Sequence, residues 1–127
     1  MSDICQLTQG ELEVMDILWS QDRDLSRTEI LPLLEQKYHR NWKIQTVSSY
    51  LAHLVDKKFI EYYRKGVYFY YHVIMPQERY KEQETRRFIN FWYHNSIDEL
   101  ILGLVDQSQL STESIKKIEE LINELDD

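Results

Sequence analysis

Gln45 to Leu54 carries an amphipathic helical pattern that runs straight into a strand-turn-strand, and this succession constrains the chain more than any other feature. Val47, Tyr50, Leu51 and Leu54 recur at helical spacing and line one stripe, while Gln45, Ser49, Ala52 and His53 project from roughly the opposite side. The residues that follow, Phe59 to Tyr63 and Val67 to Val73, are dense in aromatic and β-branched side chains. Arg64-Lys65-Gly66 between them supplies the glycine a tight turn needs. A helix with a small, polar outer face can approach base edges closely, and a basic hairpin beside it can hold phosphates. Together they form the working part of a winged helix-turn-helix, for which duplex DNA is the expected ligand.

Helix starts are marked on either side of this segment. Thr8-Gln9-Gly10-Glu11, Ser26-Arg27-Thr28-Glu29 and Ser96-Ile97-Asp98-Glu99 match the capping box, in which a hydroxyl caps an early amide and the glutamate reaches back. Leu7 with Leu12, and Leu25 with Ile30, stand at the staple positions of the first two. The first helix is expected to bury Leu12, Met15, Leu18 and Trp19 and to end near Ser20, and the second to bury Ile30, Leu33, Leu34 and Tyr38. Pro32 lies past the first turn of the second helix, where it removes an amide bond and crowds the carbonyl near Thr28, so a kink or an irregular start is expected.

A formal net charge of -7 runs against a phosphate-rich partner, but its distribution does not. From Lys37 to Lys65 seven basic residues, Lys37, Arg40, Lys43, Lys57, Lys58, Arg64 and Lys65, face only two acidic ones, Asp56 and Glu61. The acid gathers in Asp3 to Glu35 and Asp98 to Asp127, where it is expected to keep a non-contacting half soluble.

Other classes are excluded on composition. The single cysteine, Cys5, rules out an intramolecular disulfide and a cysteine metal cluster. His39, His53, His72 and His94 are scattered without metal-ligand spacing, and three glycines make no phosphate loop, so no catalytic residue, metal or cofactor is expected. The longest apolar run, Leu100 to Val105, is too short to cross a bilayer, and no secretory apolar region follows Met1; a cytoplasmic protein is expected. A chain of 127 residues can bury a core without disulfides or metal, as one compact domain or two small ones.

Several short motifs then occur in a particular order. They are Leu7-Thr8, Glu11, Val14-Met15 and Leu18-Trp19; Trp42, Thr46-Val47, Leu51, Leu54-Val55 and Lys57; and Lys65-Gly66-Val67-Tyr68 with Tyr70-Tyr71. Tyr80, Glu84-Thr85, Phe88 and the late Leu110-Ser111 extend the pattern over nearly the whole chain. In these the sequence resembles the penicillinase and methicillin-resistance repressor family, the BlaI/MecI type with its copper-responsive relatives. The resemblance implies dimeric winged-helix repressors that block promoters of resistance or copper-handling genes.

Departures from that pattern carry their own expectations. Lys43-Ile44 stands where the family often has Ser-Pro at the start of its recognition helix, leaving Asn41 as a substitute cap. Lys58 stands where the family commonly has the glycine that ends this helix, at about 1 kcal/mol if the left-handed conformation is kept. Release of the penicillinase branch, as the resemblance has it, follows cleavage of an Asn-Phe bond triggered by a membrane sensor. Gly103-Leu104 occupies the aligned place here, so a regulatory sensor or protease stays an open partner. The copper branch, as the resemblance has it, requires a cysteine-rich tail, whereas the last residues here are Asn123-Glu124-Leu125-Asp126-Asp127, so copper sensing by that device is not expected.

The C-terminal third is expected to pair with a second copy. Tyr80, Phe88, Phe91 and Trp92 fall on one side of a helix from about Gln77, followed by Leu100, Ile101, Leu104 and Val105, then Ile115, Ile118, Leu121, Ile122 and Leu125. Short amphipathic helices with so many large apolar residues have little else to bury against, the alternative being packing onto the winged part of the same chain.

The expected fold is therefore mainly α with a small β-wing: a winged helix-turn-helix over residues 1–75 and a helical dimerisation region over 76–127. The expected function is a homodimeric repressor on a roughly palindromic operator, with a recognition helix at about 43–57 and a wing at about 59–73. Gln45, Thr46, Ser49 and His53 are the candidates for base contact, and Lys43, Arg64 and Lys65 for phosphate or minor-groove contact. The candidates for dimer contact are Phe88, Phe91, Trp92, Leu100, Ile101, Leu104, Ile118, Leu121 and Ile122. A winged-helix adaptor that binds another protein and not DNA is the alternative.

Overall fold

A computed structural model describes residues 4–107 and 109–125. Asp3, Asp126 and Asp127, counted above with the acidic stretches, lie outside the described residues. The chain forms two compact units, Met1–Glu82 and Gln83–Asp127.

The first unit opens with α1 (Gln9–Ser20) and a short strand β1 (Leu25–Ser26), followed by α2 (Arg27–Tyr38) and α3 (Ile44–Asp56). The hairpin β2 (Ile60–Lys65) and β3 (Tyr68–Val73) comes next, then α4 (Gln77–Tyr93), whose first turns belong to this unit. The strands make one antiparallel sheet in the order β1-β3-β2.

Local chemistry explains where the helices begin. Thr8 caps α1 in a complete capping box: its Oγ accepts from the Glu11 amide and the Glu11 carboxylate accepts from the Thr8 amide at 2.8 Å. At α2 the Glu29 carboxylate accepts from both the amide and the hydroxyl of Ser26. Pro32 is exposed and lies inside α2, which is helical continuously from Arg27 to Tyr38.

The core is built by α1, α2, α3 and the foot of the sheet. Met15, Leu18, Ile30, Leu34, Val47, Leu51, Leu54 and Phe59 are buried together, while Leu12, Trp19, Leu33 and Tyr38 pack around them half-exposed. Tyr80 completes this core. Its ring meets Phe59 edge-on at 5.3 Å, lies 6.0 Å from Trp19, and its hydroxyl accepts from the Leu7 amide at 2.9 Å. Tyr80 is thus a core residue of the winged unit and not part of the apolar face with which the sequence grouped it. Trp19 Nε1 donates to the Met75 carbonyl at 2.9 Å, tying α1 to the chain leaving the hairpin.

The second unit holds the rest of α4, then α5 (Ile97–Asp106) and α6 (Thr112–Leu125). Two left-handed residues, His94 and Asn95, end α4, and Ser96 Oγ accepts from the Glu99 amide to start α5. Neither α5 nor α6 fully buries a described residue.

Candidate nucleic-acid interface

Val47, Leu51 and Leu54 anchor α3 in the core, which turns Gln45, Ser49, Ala52 and Asp56 outward at i, i+4, i+7 and i+11. Ser49 Oγ donates back to the Gln45 carbonyl at 3.1 Å, leaving its lone pairs to meet donors on a partner. Thr46 is half-buried on the flank of this face. His53 is exposed but turned toward α1, its Nδ1 3.7 Å from Glu11 Oε2 and its ring edge-on to Tyr50 at 6.5 Å. His53 follows Ser49 by one helical turn and is 60% exposed, so it lies at the edge of the outward face, on the side nearest Glu11. Asp56 on that face went unremarked from sequence except as a charge.

Both ends of α3 are unusual. Lys43 is the N-cap and its side chain makes no capping bond, so Asn41 does not replace the missing hydroxyl cap. Asn41 stands two residues before the cap position, too early to serve the first free amides of a helix that begins at Ile44. At the other end Lys58 adopts φ +69°, with its amide donating to Val55 and the Phe59 amide donating to Leu54, each at 3.0 Å. These two bonds, together with the burial of Phe59 and Leu54, make a Schellman ending in which a lysine holds the position glycine prefers.

The wing follows directly. Lys65 pairs with Tyr68, leaving Gly66 and Val67 as a two-residue turn, with φ +67° at Gly66. The strand therefore extends through Arg64 and Lys65, two residues further than the aromatic pattern suggested. Arg64 Nε donates to the Gly66 carbonyl at 3.0 Å, and Lys65 is exposed with no ion pair among the described residues. Tyr63 and Tyr70 stack at 6.0 Å, and Tyr62 meets Phe69 and Tyr71, so these rings pack across the strands.

The positive segment is less free than its sequence implies. Glu11, only 2 % exposed, binds Lys57 Nζ at 2.7 Å; Glu13, 4 % exposed, takes Arg40 through two bonds of 2.7 Å; Asp16 takes Lys37 and Tyr38. Three of the seven basic residues are thus neutralised by α1, leaving Lys43, Lys58, Arg64 and Lys65 without a carboxylate partner among the described residues. The acid of α1 correspondingly stabilises the fold and is not the solubilising surface expected. Burial alone would raise the Glu11 carboxyl, but hydrogen bonds from Lys57 and Thr8 outweigh it and hold the group below its ordinary value. The Arg40 hydrogen bond does the same for Glu13. Tyr38, half-buried against Asp16, is pushed up to about 12.

A second electrostatic tie braces the wing. The Asp24 carboxylate accepts from Tyr63 Oη at 2.7 Å and meets His72 Nδ1 at 2.9 Å, which lowers the Asp24 carboxyl and raises the His72 imidazole. Among the described residues no group of His, Cys, Asp and Glu is placed to hold a metal ion. No helix there is long and apolar enough to cross a membrane.

Residues 7–124 match the family described as penicillinase repressor. The chain belongs to the penicillinase repressor family. It is 25% identical over 124 residues to the penicillinase repressor of Bacillus licheniformis, covering 98% of this chain and 94% of that one. It is likewise 25% identical over 118 residues to the methicillin resistance regulatory protein MecI of Mammaliicoccus sciuri, covering 93% of this chain and 94% of that one. Its structure is similar to the DNA binding domain of the repressor BlaI, with a TM-score of 0.51 and 25% identity, covering 61% of this chain and 90% of that one. The winged-helix fold expected from the sequence is therefore the observed one.

The candidate dimer residues of this family member divide by exposure. Phe91 and Trp92 are 72% and 63% exposed and meet each other edge-on at 4.8 Å; Phe88, Leu121 and Ile122 are also exposed. Leu100, Ile101, Leu104 and Ile118 are half-buried. Gly103-Leu104 lies inside α5, where a Cβ added at Gly103 would only touch the Tyr93 ring at 3.9 Å, so packing does not demand glycine there.

Proposed function

We propose that the chain is a transcriptional repressor that binds duplex DNA as a homodimer. Carrying this reading is the outer face of α3, where Gln45, Ser49 and Ala52 present only short or flexible side chains, on a helix followed directly by a hairpin whose tip carries the cations Arg64 and Lys65. Such a face can enter a major groove while the wing takes the adjoining backbone or minor groove. Gln45 is the residue for bidentate contact with adenine, Ser49 and Thr46 supplement it, and Lys43 holds phosphate at the helix start. His53, paired toward Glu11, is assigned a peripheral contact.

Exposed Phe88, Phe91, Trp92, Leu121 and Ile122 support a second copy as the partner of the C-terminal unit, since aromatic side chains so open to water favour association. Two-fold pairing sets the recognition helices about one DNA turn apart, or a multiple of it, and implies a roughly palindromic operator. The reading is tested by selecting bound fragments from the host genome: enriched fragments sharing an inverted repeat are expected. A pool with no enrichment contradicts the reading and favours a protein-binding adaptor.

A further inference from the structure

Between the wing and the start of α2 lies a groove of about 290 Å³, lined by Arg27, Thr28, Val67, Tyr68 and Phe69 among others. It exists because β1 is only two residues long. Leu25 and Ser26 pair with Tyr71 and Tyr70 and the chain then turns into α2, so the next residues of β3 have no neighbour on that edge. Among the described residues, no acidic one lines the groove.

Arg27 is the cation of this groove. It is exposed, and its Nη1 donates to Ser48 Oγ at 2.8 Å, while the Ser48 hydroxyl donates onward to the Ile44 carbonyl at 3.1 Å. Arg23 and Arg40 are held by Glu29 and Glu13, but Arg27 has no carboxylate partner among the described residues. A guanidinium has five N–H donors in a planar fork, and the bond to Ser48 uses one and fixes the direction of the rest. Arg27 therefore stands as an oriented, unneutralised cation between the flank of α3 and the wing hairpin.

We propose that Arg27 is a further DNA-contacting residue, aimed by Ser48 at the phosphodiester that passes between the recognition helix and the wing. This rests on the reading that the chain binds duplex DNA, and it adds a phosphate anchor that neither the helix face nor the wing tip supplies. Ser48 acts as a positioning residue, since its hydroxyl is occupied on both sides and touches no partner itself.

The test is fluorescence anisotropy of the full-length protein on a random-sequence duplex of about 30 base pairs, long enough for two half-sites a turn or two apart, over a series of salt concentrations. Arg27→Ala is expected to weaken binding about ten-fold, the loss of one charge-assisted contact, and to reduce the salt slope by about 0.9 per phosphate released, doubled if both protomers engage. Arg27→Lys should keep the slope and lose part of the affinity. Ser48→Ala should weaken binding in the parent and add nothing in the Arg27→Ala background, a non-additivity that a merely structural role for Ser48 does not give. If Arg27→Ala matches the parent in affinity and slope while the Arg64→Ala/Lys65→Ala variant is weakened, the proposal is overturned and DNA binding stands. If the parent itself shows no binding at low salt, the underlying reading fails and the role of Arg27 with it.

Discussion

The Tyr50 ring occupies the space a side chain at Gly10 would need: a Cβ built there would lie 2.3 Å from Tyr50 Cζ. Tyr50 is not free to retreat, because its ring also packs on Trp42 at 5.0 Å, and Trp42 lies under the Arg40 guanidinium that Glu13 holds. The contact limits how closely α3 can lie on α1. Gly10→Ala gains about 1 kcal/mol of helix propensity but overpacks this contact at about 1 to 3 kcal/mol, so a net loss of about 1 kcal/mol is expected in urea unfolding. Tyr50→Leu in the same background should recover most of it, because the clash is with the end of the ring.

Lys58 gives the opposite prediction. Its left-handed φ of +69° closes the Schellman ending of α3, a position where a Cβ costs about 1 kcal/mol. Lys58→Gly is expected to raise unfolding stability by up to about that amount, reduced by the extra backbone freedom of the unfolded chain. A lower denaturation midpoint for the glycine variant would contradict the assignment.

Acid should act through α1. The carboxyls of Glu11 and Glu13, held below their ordinary values by Lys57 and Thr8 and by Arg40, stabilise the fold fully above the unfolded carboxylate pKa of about 4. That contribution is lost as pH falls through the lower folded values. Chemical-denaturation midpoints measured downward from pH 6 should fall through this range, and the fall should be shallower in Glu13→Gln, which starts from a lower midpoint because Arg40 has lost its partner.

His72 titrates with the other sign. The Asp24 hydrogen bond raises the imidazole, so its contribution is complete below the ordinary histidine value of about 6.5 and fades as pH rises through the higher folded value. His72 is half exposed, so the effect on global stability is small. Amide exchange corrected for its intrinsic pH dependence should report weaker protection of the wing above neutral pH, and Asp24→Asn should remove that dependence. An unchanged profile in Asp24→Asn would show that the tie does not brace the wing.

Much of this was legible in sequence where the signal is local. The capping box at Thr8, the glutamate reaching back to the Ser26 amide, the glycine turn at Gly66 and the apolar stripe of Val47, Leu51 and Leu54 each specify their geometry within a few residues, and each appears as expected. What escaped depends on distant partners. β1 has only two residues and no period to detect, yet it opens the groove at Arg27. Tyr80 looked like part of a helical surface stripe until the ring proved to cap the core beside Phe59. The pairing of Lys37, Arg40 and Lys57 with carboxylates 21, 27 and 46 residues earlier has no local signature, so the basic segment read as freer than it is.

The exposed rings of Phe91 and Trp92 carry the dimer reading. Replacing both with serine is expected to shift sedimentation equilibrium toward monomer and to weaken binding to a palindromic site far more than binding to a single half-site, because only the former uses two tethered recognition helices. Equal loss on both sites would contradict the pairing.

The measurement closest to the central claim is salt-dependent binding of duplex DNA by the parent, an Arg64→Ala/Lys65→Ala variant and Gln45→Ala. The wing variant is expected to bind every sequence more weakly with a flatter salt dependence, and Gln45→Ala to keep the slope while losing about 1 to 3 kcal/mol of discrimination at one base pair. If all three proteins bind alike in affinity, slope and sequence preference, α3 and the wing are not the DNA-reading surface.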